Sequence, residues 1–204
     1  MTDLAPFFED DVTLDAFAND HLRTIHTSRI DRWRTFSKVP IILCLKLETG
    51  DVFCAEFGHA DVEIDDDEMI DFPVATVLGQ SEQWNGVKAL CRRYLDAFES
   101  RNAELTDVFT LTQSFLDAFE RFDTVIDIRI TDGDTQLLDF SVVLNNYDAP
   151  AHAPTFSISI DQALLDAVAD GSMTPAAAAK AIKVGGSIKE AAEIGGLILK
   201  HSNV

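Results

Sequence analysis

Two runs of alternating apolar and polar residues, each interrupted by a glycine turn, constrain the fold of this chain more than any other feature. In the first run every second residue of 43–47 is leucine, Thr49-Gly50-Asp51 supplies turn residues, and 52–57 is a second apolar stretch. The second run, 126–144, has the same form around Asp132-Gly133-Asp134. Successive side chains of a strand point to opposite faces, so this period of two predicts a half-buried β-hairpin in each run.

The two runs align at a single offset of 83 residues. Gly50 then falls on Gly133, Phe57 falls on Phe140, and 75–77 falls on a further alternating stretch. Few residues are identical, and any two helix–hairpin units align when one is slid along the other. Because the turn and the parity of the apolar positions survive one fixed shift, we interpret the chain as a tandem repeat.

The repeat predicts three segments. Residues 1–20 form an N-terminal extension, and 21–102 form a first, degenerate unit. Residues 103–204 form a second unit that ends in C-terminal lid helices. Each unit is expected to contain a helix, a hairpin, a further strand and another helix in that order.

Capping residues place the ends of the helices. Thr13 is the expected N-cap of the first helix, and Thr106 or Asp107 that of the helix that opens the second unit. Asp161 caps a helix in the C-terminal third. Thr174-Pro175 begins another helix, which is predicted to run through an alanine block as far as the following Gly-Gly pair.

The charge of the chain argues against two classes of partner. With 16 basic and 35 acidic side chains the net charge is −19. Binding to nucleic acid needs clustered Lys and Arg, and so does electrostatic docking on anionic lipid headgroups. A hydrophobic fraction of 47% with 14 Phe excludes a disordered acidic tail. The composition predicts a folded acidic protein that binds no nucleic acid.

Cysteine usage and the lack of a long apolar run favour a cytoplasmic protein. Cys44, Cys54 and Cys91 show no C-x-x-C spacing and are expected to be buried, reduced thiols. The N-terminal residues are acidic, which does not fit a secretory signal or a transit peptide. No apolar run approaches the roughly 18 residues of a membrane span.

The C-terminal part resembles the sterol carrier protein family, the non-specific lipid-transfer type. The stretch that carries the resemblance is FSISIDQALLDAVADGSMTPAAAAKAIKVGGSIKEAAEIGGLIL, residues 156–199. An alternating strand leads there into a helix, then Gly171, Met173 and Pro175, a small-residue helix, a Lys-containing apolar segment and a last amphipathic helix. The match covers about residues 105–200, and alanines replace the family's Phe and Gly after the proline.

The resemblance implies an α+β fold and a role without catalysis. The expected fold is a curved, mostly antiparallel five-stranded sheet covered by helices, present twice in tandem. Family members bind sterols, fatty acids, acyl-CoA or other lipids in an apolar tunnel. The residues expected to form the lipid-binding cavity wall are Ile126, Ile128, Phe140, Val142, Ile158, Ile160, Leu164, Leu165, Val168, Met173, Ala178, Ile182 and Ile188.

Other interpretations of the same pattern stay open. An apolar sheet under helices is also what an ordinary α+β core looks like. An accessory or scaffold protein would fill the cavity with side chains and use its acidic surface to dock a protein partner. Transient membrane contact without stable anchoring, and a homodimer, are both compatible with the sequence. An enzyme for a small apolar substrate would need a polar cluster inside the cavity.

The residues that could carry chemistry form no convincing active site. His21 and His26 are five residues apart, so a helix does not place both imidazoles on one face as metal binding needs. Cys54 and His59 lack an orienting partner. The acidic run at 63–68 lacks the glycine and the distal Glu of a calcium loop. We predict no catalytic residue, no metal and no cofactor.

Overall fold

One open sheet of eight strands forms the frame of the protein. The computed structural model describes residues 3–67, 72–106 and 110–201 of the 204. The strands are β1 (Ile41–Leu47), β2 (Val52–Phe57), β3 (Val62–Asp65), β4 (Ala75–Gly79), β5 (Val125–Asp132), β6 (Thr135–Leu144), β7 (Thr155–Asp161) and β8 (Lys183–Gly186). Their spatial order is β3-β2-β1-β4-β6-β5-β7-β8.

The helices lie before, between and after the strands along the chain. They are α1 (Leu14–Ala16), α2 (Leu22–Ser28), α3 (Ile30–Phe36), α4 (Trp84–Thr106), α5 (Gln113–Phe119), α6 (Gln162–Ala169), α7 (Pro175–Ala181) and α8 (Ile188–His201). A π-helical turn, Phe17–His21, joins α1 to α2. In the part of the chain that the structure describes, no helix has the length and apolarity needed to cross a bilayer.

The sheet corrects the predicted fold class. The chain is α+β, but the expected five-stranded, mostly antiparallel sheet, present twice, is wrong. β4 pairs antiparallel with β6, with Ala75 opposite Leu144 and Val77 opposite Val142. The strands of both halves therefore join in one mixed sheet, in which β1 pairs parallel with β4 and β5 parallel with β7. In this sheet β4 of the first half and β6 of the second half are each other's neighbour, so neither is an edge strand.

Three strands of each half have the same arrangement. The order β2-β1-β4 in the first half matches β6-β5-β7 in the second, and the antiparallel and parallel senses agree. The predicted boundary between 102 and 103 falls inside α4. The duplication and the division into units stay predictions.

The alternation gives the sheet one continuous apolar face and an opposite face of mixed character. The register places Leu43 beside Ala55 and Ala75, and Ile128 beside Phe140 and Ile158. These positions and their i±2 neighbours form the apolar face. The residues between them form the opposite face. In the second half this face carries polar residues such as Asp127 and Ser141, and the Ser141 hydroxyl donates to the Asp127 carboxylate at 2.7 Å. In the first half Ile42, Cys44 and Cys54 form a second buried cluster there with Tyr147.

Aromatic side chains fill the core at one end of the apolar face. Phe115 and Phe119 of α5 stack with their ring centroids 5.2 Å apart. Around them pack Ile41, Leu111, Phe122, Leu144, Phe156, Ile194 and Leu197. This cluster joins α5 and α8 to strands of both halves, so burial of apolar area there stabilises the two halves together.

The N-terminal residues pack against α4 at the other end of the sheet. Lys88 is only 1% exposed. Its Nζ donates to the carbonyls of Asp10 at 2.7 Å and Val12 at 2.9 Å. Trp84 Nε1 also donates to the Val12 carbonyl, at 2.9 Å. Because two side chains of α4 donate three hydrogen bonds to this stretch, the predicted extension is integrated with the rest of the fold.

The capping predictions are confirmed at three helices and wrong at one. The side chains of Thr13, Asp161 and Thr174 accept hydrogen bonds from backbone N–H groups of the helices that follow them. The helix before β5 is α5, and its N-cap is Thr112. Thr106, one of the two predicted caps, is the last residue of α4 instead. Asp107, the other predicted cap, lies outside the described residues.

A strand replaces the predicted end of the alanine helix. α7 ends at Ala181, and β8 pairs antiparallel with β7. A Cβ on Gly186 would lie 2.8 Å from the Thr155 carbonyl oxygen, and its φ is +78°. Glycine therefore allows both the left-handed turn and the close approach of the two backbones.

Two of the three cysteines form a disulfide, so the prediction of reduced thiols is wrong for them. Cys44 and Cys54 are directly opposite in the β1–β2 hairpin, with their Cα atoms 4.2 Å apart. Cys91 on α4 is a free thiol, and burial raises its pKa. A raised pKa disfavours the thiolate and makes Cys91 a poor nucleophile.

Candidate functional site

An apolar cavity of about 310 Å³ lies on the apolar face of the sheet. Its floor comes from three neighbouring strands, and α1, α4 and the turn before α4 form its walls. The lining residues are Leu14, Leu45, Leu47, Val77, Gly79, Gln80, Gln83, Trp84, Val87, Leu138 and Phe140. Because β1, β4 and β6 all contribute, the cavity lies across the junction of the two halves.

A second cavity of about 210 Å³ adjoins the first. The two share Leu14, Leu45 and Trp84. The second extends over β1, β2 and β3 beneath the first helices, with Leu43, Phe53, Ala55, Phe57, Ile64, Phe17, Ala18 and Leu22 among its lining. The strands pair with their Phe and Leu side chains on this face, but the helices leave space above them.

The amides at the mouth of the larger cavity are engaged with protein groups. Gln83 Nε2 donates to the Asp139 carbonyl, and Gln83 Oε1 accepts from the Gln80 backbone N–H at 3.2 Å. Gln80 Nε2 donates to the Glu48 carboxylate at 2.9 Å. With these groups satisfied inside the protein, the cavity offers a ligand mainly hydrocarbon contact.

The N-terminal residues form the roof that both cavities share. Thr13 Oγ1 accepts from the Ala16 N–H at 3.1 Å and fixes the start of α1, which places Leu14 over the cavities. The ring of Phe17 packs on Trp84, with centroids 5.0 Å apart. Since Lys88 and Trp84 bind the segment just before α1, α4 holds this roof in position.

The predicted cavity wall lies mainly beside the observed cavities. Phe140 lines the larger one. Ile126, Val142 and Ile158 pack against the aromatic core, and Ile128 and Ile160 share their face. The remaining predicted residues lie in or next to the C-terminal helices: Leu164, Leu165, Val168, Met173, Ala178, Ile182 and Ile188. The structure therefore brings the strand residues together on one face, and the ligand role of all of them stays a prediction.

An ion pair anchors α6 beside α4 over the second half of the sheet. Arg93 donates through two nitrogens to the two carboxylate oxygens of Asp166, at 2.9 and 2.7 Å, and the Tyr94 hydroxyl donates at 2.9 Å. These bonds lower the pKa of Asp166. They fix α6 and so limit the space above β5 and β7.

The residues that sequence reasoning missed are those of the N-terminal roof and of α4. Leu14, Phe17 and Trp84 line a cavity, yet the first two lie in a segment expected to be an extension. Their helical spacing was visible in the sequence and marks a buried face. Nothing in that spacing shows that the helix lies at a distance from the strands beneath it.

One of the predicted chemical candidates is a buried histidine. His26 is 5% exposed, and its ring packs against Trp33 and Phe57 with centroids 5.7 and 5.6 Å away. Burial lowers the pKa of His26, and the Asp61 charge and the Gly58 carbonyl oppose this effect. His21 instead packs on Phe7. The two histidines do not converge.

We expect this burial to make the protein less stable in mild acid. The unfolded chain takes up the His26 proton near pH 6.5, whereas the folded protein takes it up at lower pH. The unfolding free energy should therefore fall as pH drops below about 6.5. Urea unfolding at about pH 7.5 and about pH 5.5 measures this fall. A smaller fall is expected in His26→Leu and an unchanged one in His152→Asn; equal falls in all three would contradict the argument.

The remaining candidates form no chemical site. His59 Nε2 lies 2.9 Å from the Ser37 carbonyl, which gives that ring a structural partner. Among the described residues, no group of three or more His, Cys, Asp or Glu side chains could hold a metal ion. Glu68, at the end of the acidic run, lies outside those residues.

The fold and its cavities define a two-layer α+β protein with partly open apolar cavities between the sheet and the helices. Comparison with known proteins gives no family model that matches the chain and no match among curated proteins. The resemblance to the sterol carrier proteins therefore remains an expectation.

Proposed function

We propose that this protein binds a lipid in the two adjoining apolar cavities and does so without catalysis. The observation that carries the proposal is the 310 Å³ cavity floored by Leu45, Val77 and Phe140. Ligand sites are concave, mostly apolar spaces with a few polar groups. The resemblance of the C-terminal part to lipid carriers supports the same class of ligand.

The size of the cavities favours a slim ligand. Small-molecule pockets span about 300–1,000 Å³. The larger cavity, about 310 Å³, is near the lower limit of that range, and the adjoining 210 Å³ lengthens it under the first helices. Among the lipids that the sequence suggests, a single acyl or isoprenoid chain fits this shape better than a sterol.

The lining supports binding without chemistry. The described residues that line the larger cavity include no Asp, Glu, His, Lys, Arg or Cys. Its two glutamines are held by Asp139 and Glu48. A general acid or base would need a titratable group within reach of the ligand. Glu48 and Asp139 line a separate, polar cavity of about 440 Å³ that adjoins this one, and they are not part of the apolar lining. We also propose a cytoplasmic location. A reducing compartment disfavours disulfides, so the Cys44–Cys54 disulfide is an observation against this location.

Fluorescence of Trp84 offers a direct test of binding. In a Trp33→Phe variant Trp84 is the one remaining tryptophan, and it lines both cavities. Titration with palmitate, an acyl-CoA, a prenyl alcohol and cholesterol should shift its emission for at least one of them. We expect a dissociation constant of about 1 μM or lower, which corresponds to about −8 kcal/mol.

Two substitutions at Gly79 separate cavity binding from adsorption. A Cβ there would lie 3.7 Å from Gln83 Oε1 and 3.8 Å from Leu45 Cδ1, so Gly79→Ala fits. Gly79→Leu would project into the cavity and should weaken binding about tenfold or more. Ile160→Asp tests whether the predicted cavity wall in the second half also contacts the ligand. Binding that is equal in Gly79→Ala and Gly79→Leu would place the ligand elsewhere, and no binding by the parent would favour the scaffold function.

A further inference from the structure

Positive charge and exposed apolar side chains coincide at the C-terminal end of the chain. Four of its seven lysines are Lys180, Lys183, Lys189 and Lys200. Four of the six large apolar side chains exposed in the described part of the chain also lie there: Val184, Ile188, Ile198 and Leu199. The net charge of −19 therefore does not describe this surface.

The exposed apolar residues form a stripe along α8. Ile194 and Leu197 are buried in the aromatic core. The opposite side of the helix carries Ile188, Ala192, Gly195 and Leu199, which are four, three and four residues apart and so share one face. We call these four residues the outer face of α8; Ile188 is 57% and Leu199 75% exposed.

Lysines flank the outer face, and the acidic residues of α8 are already engaged. Lys189 and Lys200 each directly follow one of its large apolar residues, and both are exposed. Glu193 lies 3.8 Å from Lys189 and 3.8 Å from Arg121. Glu190 points inward and accepts from the Thr124 hydroxyl at 3.0 Å. Because Glu193 faces two cations, Lys189 and Arg121, this group keeps a net positive charge, and α8 offers apolar and cationic groups to a partner.

We propose that the outer face of α8 docks on the surface of an anionic lipid bilayer. Ile188 and Leu199 would enter the boundary between headgroups and acyl chains, and Lys189 and Lys200 would meet the headgroups. Each Lys near an anionic surface strengthens the contact. Helices with one apolar and one cationic side lie in this interface. Two large apolar residues give reversible contact, and the docking does not depend on the proposed ligand.

The acidic remainder of the protein does not cancel this attraction. At physiological ionic strength the screening length is about 8 Å, so charges on distant parts of the surface are largely screened. The local charges of α8 then determine the contact. The total charge of −19 opposes docking of the molecule as a whole on anionic headgroups, but it does not determine the contact that this helix makes.

A second copy of the chain fits the outer face less well. A symmetric pair of α8 helices would place Lys189 and Lys200 of both copies in one interface. Like charges brought together there would oppose association. Anionic headgroups remove that conflict, since they pair with the lysines of one molecule.

Vesicle sedimentation tests the proposal with the full chain. Vesicles of phosphatidylcholine alone are compared with vesicles that contain about 30% phosphatidylserine, whose surface potential attracts basic segments. We expect binding to the second only, with loss in about 1 M salt, where the screening length is about 3 Å. Leu199→Glu should reduce the bound fraction at least about fivefold.

Phe72→Glu is the matched control. It makes the same change of charge at another exposed apolar residue, 73% accessible, outside the C-terminal region. It should bind vesicles like the parent, and urea unfolding checks that both variants fold. Absence of parent binding to anionic vesicles, or equal loss in both variants, would overturn the proposal. The proposal would also be overturned if the parent were a dimer, Leu199→Glu were a monomer, and neither bound vesicles.

Discussion

Replacement of Lys88 by methionine is expected to lower the unfolding free energy by about 2–3 kcal/mol. The Lys88 ammonium donates to two backbone carbonyls, at 2.7 and 2.9 Å, and is almost fully buried. Methionine fills a similar space but leaves the carbonyls of Asp10 and Val12 without this donor. A hydrogen bond to a charged group contributes about 1.5–3 kcal/mol. Urea unfolding measures the change.

The same substitution should also loosen the roof of the cavities. Trp84 Nε1 donates to the Val12 carbonyl, so release of the N-terminal segment should shift Trp84 emission in the folded protein. Arg92→Gln is the control, since Arg92 bonds the exposed Asp10 side chain and touches the same segment at its surface. We expect Arg92→Gln to change little. Equal effects of the two substitutions would show that burial of Lys88 is irrelevant.

Phe115→Ala should destabilise the protein by about 3–5 kcal/mol, the cost of removing a buried aromatic side chain. Phe115 is 3% exposed and stacks on Phe119 in the core that joins α5 and α8 to the sheet. Because that core contacts strands of both halves, fluorescence and circular dichroism should report one coincident transition at lower urea concentration.

Phe72→Ala is the reference for this prediction. It removes the same atoms from a side chain that is mostly exposed, so it should change the unfolding free energy by less than about 0.5 kcal/mol. Two separate transitions in Phe115→Ala, with one at the position of the parent, would show that the core stabilises only one half.

Local patterns predicted the faces of the strands well. Alternation put Leu43 and Leu45 on one face of β1 and the second-half isoleucines on one face of β5, and the register confirms both. The pairing of β4 with β6 could not be read in the same way. Strand alternation states which side is buried, but not which edge a distant strand will join.

Other misses have different causes. The predicted turn, Thr49-Gly50-Asp51, is centred on Gly50 and would place Cys44 opposite Glu56. The observed register is centred on Thr49 and places Cys44 opposite Cys54, where the disulfide forms. β8 has the sequence Lys-Val-Gly-Gly, which carries no strand pattern. Its conformation depends on contact with β7. The position of the cavities depends on how helices settle on the sheet, which periodicity does not encode.

The antiparallel joint between β4 and β6 has a consequence for protein fragments. If the chain were cut between α4 and α5, each piece would keep four strands of the sheet. In one piece β4 would become an unpaired edge strand, and in the other piece the ten-residue β6 would. Unpaired edges seek other strands and promote aggregation. The best available partner for each piece would be the other piece. The joint therefore makes this protein a candidate for split-fragment complementation, in which two separately produced halves restore one sheet when they meet.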